Sequence, residues 1–173
     1  MFRIRVVSVL VLSVLLAQPA FADEGFTPLF NGKNLDGWKT KKGEALDGKT
    51  EAYNGRFKVQ DEMIVIDPKV KGDVIIETAR SFKDVHVKFQ FLPGAGCNND
   101  LFLRGAKFDL KKGVKNMKEN EWNDFEIVAK GGAIEFKCNG QLVQTIKAKA
   151  DSSPLGIRAE YGSMHVRSLQ FKE

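Results

Sequence analysis

Between Val85 and Phe91 the chain alternates without a break. Val85, Val87, Phe89 and Phe91 are apolar, and His86, Lys88 and Gln90 between them are polar. Successive side chains of a strand point to opposite faces, so a period of two demands an extended segment with one face buried. The same rhythm, or a short β-branched or aromatic run, recurs in Arg56–Gln60, Met63–Ile66, Asp73–Thr78, Leu101–Arg104 and Lys107–Leu110. It continues through Trp122–Ala129, Ala133–Cys138, Leu142–Ile146, Pro154–Glu160 and Met164–Phe171. Helical periodicity is nearly absent. Many short strands at close spacing predict an all-β sandwich.

Turn chemistry punctuates the strands. Asn139–Gly140 is the strongest hairpin signal, because a type I′ turn wants positive φ at both central residues. Gly131–Gly132 predicts a second hairpin. Near the start, Asn31–Gly32 and Asp36–Gly37 are tight-turn signals set between Phe30 and Trp38, which are expected to anchor an ordered segment in the core. Trp122 is expected to be a core anchor as well. Asp67–Gly72 and Lys111–Asn120 are predicted loops, with a helical turn allowed in the second. Asn98–Asn99–Asp100 reads as a turn, and its oxygens match no calcium-loop spacing. No repeat or linker divides residues 23–173, which are expected to form a single domain.

Residues 1–22 have a different character. Arg3 and Arg5 precede an apolar run from Val6 to Leu16, and Ala20–Phe21–Ala22 puts small residues where signal peptidase reads. A secretory signal peptide cleaved after Ala22 is expected. The run is too short to span a bilayer. The mature chain is therefore expected to be periplasmic or secreted, with no membrane association after cleavage.

Removing Arg3 and Arg5 leaves 25 basic against 22 acidic side chains, a net charge of about +3. The lysines are scattered, and no basic stripe with interleaved aromatics marks a nucleic-acid surface. Export makes a disulfide between Cys97 and Cys138 chemically possible, but sequence cannot bring their Cα atoms within the necessary ~7 Å, so bridge and free thiols stay open. Two cysteines and two distant histidines give no metal-ligand spacing, and neither a metal nor a cofactor is expected.

An ordered series of short blocks carries a family resemblance. It runs from Pro28–Leu29–Phe30–Asn31–Gly32 through Gly72–Thr78, Phe82–Phe91, Asn99–Gly105, Glu121–Trp122–Asn123, Cys138–Asn139–Gly140 and Pro154–Glu160 to Val166–Leu169. The set resembles the 3-keto-disaccharide hydrolase domain family and covers nearly all of the mature chain. The resemblance implies a concanavalin A-like jelly-roll β-sandwich of two antiparallel sheets, one of them curved around a ligand groove. It also implies hydrolysis of glycosides whose sugar carries a 3-ketone, by elimination and hydration, with a carbohydrate or modified sugar as the partner.

Such chemistry needs a base for the C2 proton, a cation or donor for the enolate oxygen, and an acid for the leaving group. The resemblance points to Arg104, Arg158 and Glu160. Glu160 is the candidate base, Arg104 the candidate charge for the enolate, and Arg158 a substrate-binding residue. Period two places Arg158 and Glu160 on one face of their strand, opposite Leu155, Ile157 and Ala159. The chain departs from the family where Asn99–Asp100 replaces Asn–Ser–Gly, where Lys107 replaces a carboxylate, and where Gln90 stands for an acid. Asp109 is the candidate substitute carboxylate. His86, Lys88 and Gln90 share a strand face and are further substrate-binding candidates, although an exposed histidine is the plainer reading of His86. A non-catalytic carbohydrate-binding module and an interaction module of an exported assembly are the alternatives that fold alone does not separate.

Overall fold

The protein is described by a computed structural model over residues 23–173; the expected signal peptide, 1–22, lies outside the described residues. Short strands follow one another with no helix among the described residues. They are β1 (Thr27–Pro28), β2 (Trp38–Thr40), β3 (Glu51–Ala52), β4 (Phe57–Gln60), β5 (Met63–Ile66), β6 (Val74–Thr78) and β7 (Val85–Pro93). Then come β8 (Asn98–Leu103), β9 (Ala106–Lys111), β10 (Asn123–Lys130), β11 (Ala133–Cys138), β12 (Gln141–Lys147), β13 (Gly156–Tyr161) and β14 (Met164–Lys172).

They build two antiparallel sheets. The large sheet runs β12-β11-β10-β7-β14-β5-β4-β3, with β1 also on β14, and the small sheet runs β2-β6-β13-β8-β9. Neighbours in the sheets are distant in sequence in several places, such as β7 beside β14 and β6 beside β13. This is the all-β jelly-roll sandwich expected from the sequence.

The alternation of β7 is realised residue by residue: Val85, Val87, Phe89 and Phe91 are buried, and His86, Lys88 and Gln90 lie on the solvent face. Inside, aromatic rings span the gap between the sheets. Phe108 of the small sheet stacks on Phe136 at a centroid distance of 4.6 Å and meets Phe125 at 5.2 Å, both from the large sheet. Phe125 also meets Phe89 at 5.3 Å and Phe91 edge-on at 5.7 Å. Such offset and edge contacts add to the area the rings bury.

The turns follow local chemistry. Asn139 (φ 51°) and Gly140 (φ 76°) are both left-handed, as a type I′ hairpin between β11 and β12 requires. The opening segment is ordered as expected: Phe30, Leu35 and Trp38 are buried. Asp36 accepts a bond from the Gly48 amide at 2.6 Å, and Asp47 accepts one from the Gly37 amide at 2.8 Å, a reciprocal clamp.

Residues 112–120 are loop as expected, with turns and no helix. Two expectations are corrected. Asn98–Asn99–Asp100 is the start of β8 rather than a turn, because its backbone pairs with β13 on one side and β9 on the other. Trp122 is half-buried and outside the core cluster, on the outer side of the large sheet, with the Arg167 guanidinium 3.8 Å above its ring. The two cysteines, left open above, are free, buried thiols. Burial pushes both thiols up, Cys138 to about 11, so neither is a thiolate at neutral pH.

Phe125 touches rings from both sheets, so Phe125→Ala is expected to destabilise the fold by about 3–5 kcal/mol. Urea unfolding followed by tryptophan fluorescence measures it. A loss below about 1 kcal/mol would mean that the aromatic cluster is not what joins the sheets.

Candidate functional site

Cross-strand register assembles a charged cluster on the outer face of the small sheet. Ile75 of β6, Arg158 of β13, Asp100 of β8 and Asp109 of β9 stand in one row across four strands. Their strand neighbours Ile76, Ile157, Ala159, Leu101, Phe108 and Leu110 are buried on the inner face, so period two turns Arg158, Glu160, Asp100, Lys107 and Asp109 outward.

Arg158 organises one end of the row. Its Nε and Nη2 grip the two oxygens of Asp73 at 2.6 and 2.5 Å, its Nη1 donates to Asp100 Oδ2 at 2.6 Å, and the same nitrogen lies 3.2 Å from Glu160 Oε2. The bidentate fork raises the guanidinium pKa, and the same hydrogen bonds hold the Asp73 carboxyl below the usual carboxylate range.

Asp100 sits behind this surface, its side chain only 1% exposed. Burial pushes its carboxyl up, against the pull of Arg158. Its Oδ1 has no hydrogen-bond partner and lies 3.7 Å from Lys107 Nζ. Directly across the ladder, Asp109 behaves oppositely. Lys107 Nζ at 2.5 Å and Lys111 Nζ at 3.3 Å hold its carboxyl down. Two facing carboxyls are thus driven apart, one toward the acid form and one toward the base form, which is the pattern of an acid–base pair. Asp109 and Glu160 are about one-third exposed, and Asp100 is not. A ligand on this face would reach the first two only.

A β-bulge aims Glu160. The β13–β8 register shifts between Arg158 and Tyr161, and the buried Asn99 side chain fills the gap by accepting the Glu160 amide at 2.9 Å. Bulges of this kind re-aim side chains beside functional sites.

Of the residues expected from sequence, Arg158, Glu160 and Asp109 come together here. Arg104 does not join them. It occupies the β8–β9 turn at φ 49° followed by Gly105 at φ 73°, where a Cβ on the glycine would come within 2.8 Å of Lys149. The Arg104 side chain is 5% exposed. Its Nε donates to the Ala150 carbonyl at 2.9 Å and its Nη1 to the Lys83 carbonyl at 3.1 Å. The guanidinium is committed to tying loops to the turn and contacts no member of the cluster.

His86, Lys88 and Gln90 also lie elsewhere, on the outer face of the large sheet. His86 pairs with Glu126 at 2.6 Å and Lys88 with Asp23 at 2.9 Å. Gln90 donates to Asp124 at 2.8 Å and accepts from Arg167 at 2.9 Å. Asp100, Asp73, Asn99 and Lys107 are the cluster members that sequence reasoning did not place at the site. Among the described residues, no group of three His, Cys, Asp or Glu side chains is placed to hold a metal ion.

Fold and face together define a concanavalin A-like jelly roll with a charged, solvent-facing sheet. The fold is shared with proteins that handle glycans. A candidate glycosyl hydrolase from Parabacteroides distasonis is similar at 17% identity, with a TM-score of 0.69, over 86% of this chain and 94% of that one. A carbohydrate binding module from Bacillus subtilis superposes with a TM-score of 0.55 at 12% identity, over 80% of this chain and 97% of that one. A β-glucanase from Bacillus licheniformis gives a TM-score of 0.53 at 8% identity, over 86% of this chain and 97% of that one. No curated protein sequence matches the chain. Residues 25–118 match the 3-keto-alpha-glucoside-1,2-lyase-like domain, and the chain belongs to that family.

The raised Asp100 carboxyl has a measurable consequence. A carboxyl whose folded pKa exceeds its unfolded value makes the folded state bind the extra proton, so stability falls as pH rises through that window. Asn at this position carries no charge at any pH. Asp100→Asn is therefore expected to gain stability relative to the native chain as pH rises from about 4, the ordinary carboxylate value, toward 7. Denaturation midpoints at a series of pH values test this. A difference that does not change with pH would contradict it.

Proposed function

We propose that the outer face of the small sheet binds a 3-keto-glycoside and cleaves it by elimination followed by hydration. The observation that carries this reading is the convergence of Arg158, Glu160, Lys107 and Asp109 around the buried Asp100. A ketone at C3 acidifies the C2 proton. Glu160, one-third exposed and fixed by Arg158 and by Asn99, is the base that takes it. The electrons pass into the C3 enolate, whose oxygen Lys107 stabilises; its Nζ already sits 2.5 Å from Asp109, and its side chain is about half exposed. The C1–oxygen bond then breaks as the proton held by Asp100 passes through the ionised Asp109, directly across the ladder, to the departing oxygen. Asp100 is the proton store; it acts through Asp109 and is a positioning residue. Water adds across the C1–C2 double bond to regenerate the free 3-keto sugar. In this scheme Lys107 takes the place that sequence reasoning assigned to Arg104.

One feature supports a second reading, a carbohydrate-binding module without turnover. Every carboxylate of the cluster already has a cation: Asp73, Asp100 and Glu160 share Arg158, and Asp109 has Lys107 and Lys111. A saturated network holds a sugar hydroxyl as readily as it moves a proton. Both readings place the protein outside the cytoplasm, in the periplasm or secreted, on the strength of residues 1–22.

A 3-keto-glucoside with a chromogenic leaving group separates the two. Turnover is expected, with Glu160→Gln and Asp109→Asn each lowering kcat by about 10²–10⁴ and Arg104→Ala, in a folded chain, leaving it within about twofold. Saturable binding without release of the chromophore would establish the binding module instead.

A further inference from the structure

The small sheet ends at β9 and the large sheet ends at β12, and residues of both edge strands, such as Lys107 and Asp109 of β9 and Val143 and Gln144 of β12, border one space at a margin of the sandwich. Between them, closed below by residues 111–115, is a solvent-open cleft of about 390 Å³, large enough for a sugar-sized group. Four lysines line it, Lys107, Lys111, Lys112 and Lys115, with Gln144 opposite on β12, and Asp109 is the sole carboxylate in the lining.

The pairing is uneven. Lys107 and Lys111 share Asp109, Lys112 reaches only Glu119, at 3.9 Å, and Lys115 has no ion-pair partner among the described residues. At the other end of the same face the balance reverses, since Arg158 is surrounded by Asp73, Asp100 and Glu160. The face is therefore dipolar, with acid–base groups over β13 and β8 and surplus cation over the edge of β9. Lys107 and Asp109 belong to both parts, so a group in the cleft is continuous with the sugar site.

We propose that this cleft takes an oxyanion carried by the bound sugar, a carboxylate or sulfate group on the reacting residue or its neighbour, so that the substrate class is acidic glycans. The inference rests on the sugar-site reading and narrows its substrate. Lysine suits the role of reading charge, because its ammonium is a point charge without the planar fork by which arginine selects geometry. Period two sets Lys107, Asp109 and Lys111 on one side of β9. Asp109 thereby screens the two lysines nearest the acid–base groups and leaves Lys112 and Lys115 to attract the anion.

Titration calorimetry on the full mature chain tests this with three oligosaccharides of equal length: a neutral glucan, a uronate oligomer and a sulfated glucan. A polyglutamate peptide serves as an anion without a sugar. Lys112→Ala/Lys115→Ala, which removes the two loop cations assigned to the anion and leaves the acid–base groups untouched, is the companion variant. One or both acidic oligomers are expected to bind more tightly than the neutral one at low salt, with the advantage shrinking as salt is added. The double variant is expected to lose roughly three- to tenfold toward them and nothing toward the glucan. A uronate-only or sulfate-only preference would identify the oxyanion. Equal binding of neutral and acidic sugars, or an equal effect of the variant on both, would overturn the acidic-glycan inference while leaving the sugar site intact. Polyglutamate binding as tightly as the acidic sugars would overturn it too, and binding of no sugar at all would overturn the site reading with it.

Discussion

Everything on the outer face of the small sheet depends on one contact beneath it, the packing of Phe108 against Phe125 and Phe136. Phe108 lies on β9 between Lys107 and Asp109, and its ring points inward while theirs point out. The stacked ring holds the edge strand of the small sheet against the large one, and with it the register that sets Asp109 opposite Asp100. An edge strand is paired on one side only, so its position rests more heavily on side-chain packing than that of a central strand. The core aromatics and the charged cluster are thus two faces of the same few residues.

The second dependence is electrostatic. A carboxylate as buried as Asp100 is costly unless it is paired. Arg158 supplies the pair, and it brings Asp73 and Glu160 with it, so one buried acid draws together a network that spans two strands and a loop. The same burial divides the labour, since it favours the proton on the hidden acid while the lysines hold Asp109 toward its ionised form. A face built this way is held in place by its own ion pairs, which is the preorganisation that the proposed acid–base work on a sugar would need.

The strands were legible in sequence because period two is local: β7, β10 and β11 follow from alternation alone, and the β11–β12 turn from Asn139–Gly140. The outward pairing of Arg158 with Glu160 was legible for the same reason. The cluster as a whole was not, because it is made by register between strands. Its key is the two-residue turn Arg104–Gly105. With that turn recognised, counting outward pairs Leu103 with Ala106, Phe102 with Lys107, Leu101 with Phe108 and Asp100 with Asp109. Arginine in a left-handed turn is not a turn signal, so local sequence does not reveal this hairpin or the loop contacts that occupy Arg104. His86, Lys88 and Gln90 were read correctly as one strand face, but alternation within a strand does not say which sheet the strand joins.

The proposed sugar site lies on the outer face of the small sheet, and chemical-shift mapping tests that placement most directly. Residues 23–173, backbone-assigned, isotopically labelled and titrated with a 3-keto-glucoside, are predicted to shift at amides of β8, β9 and β13, centred on Asp100, Asp109 and Glu160. Shifts confined to the other side of the sandwich, at His86, Gln90, Trp122 and Arg167, would contradict it and move the sugar site to the large sheet.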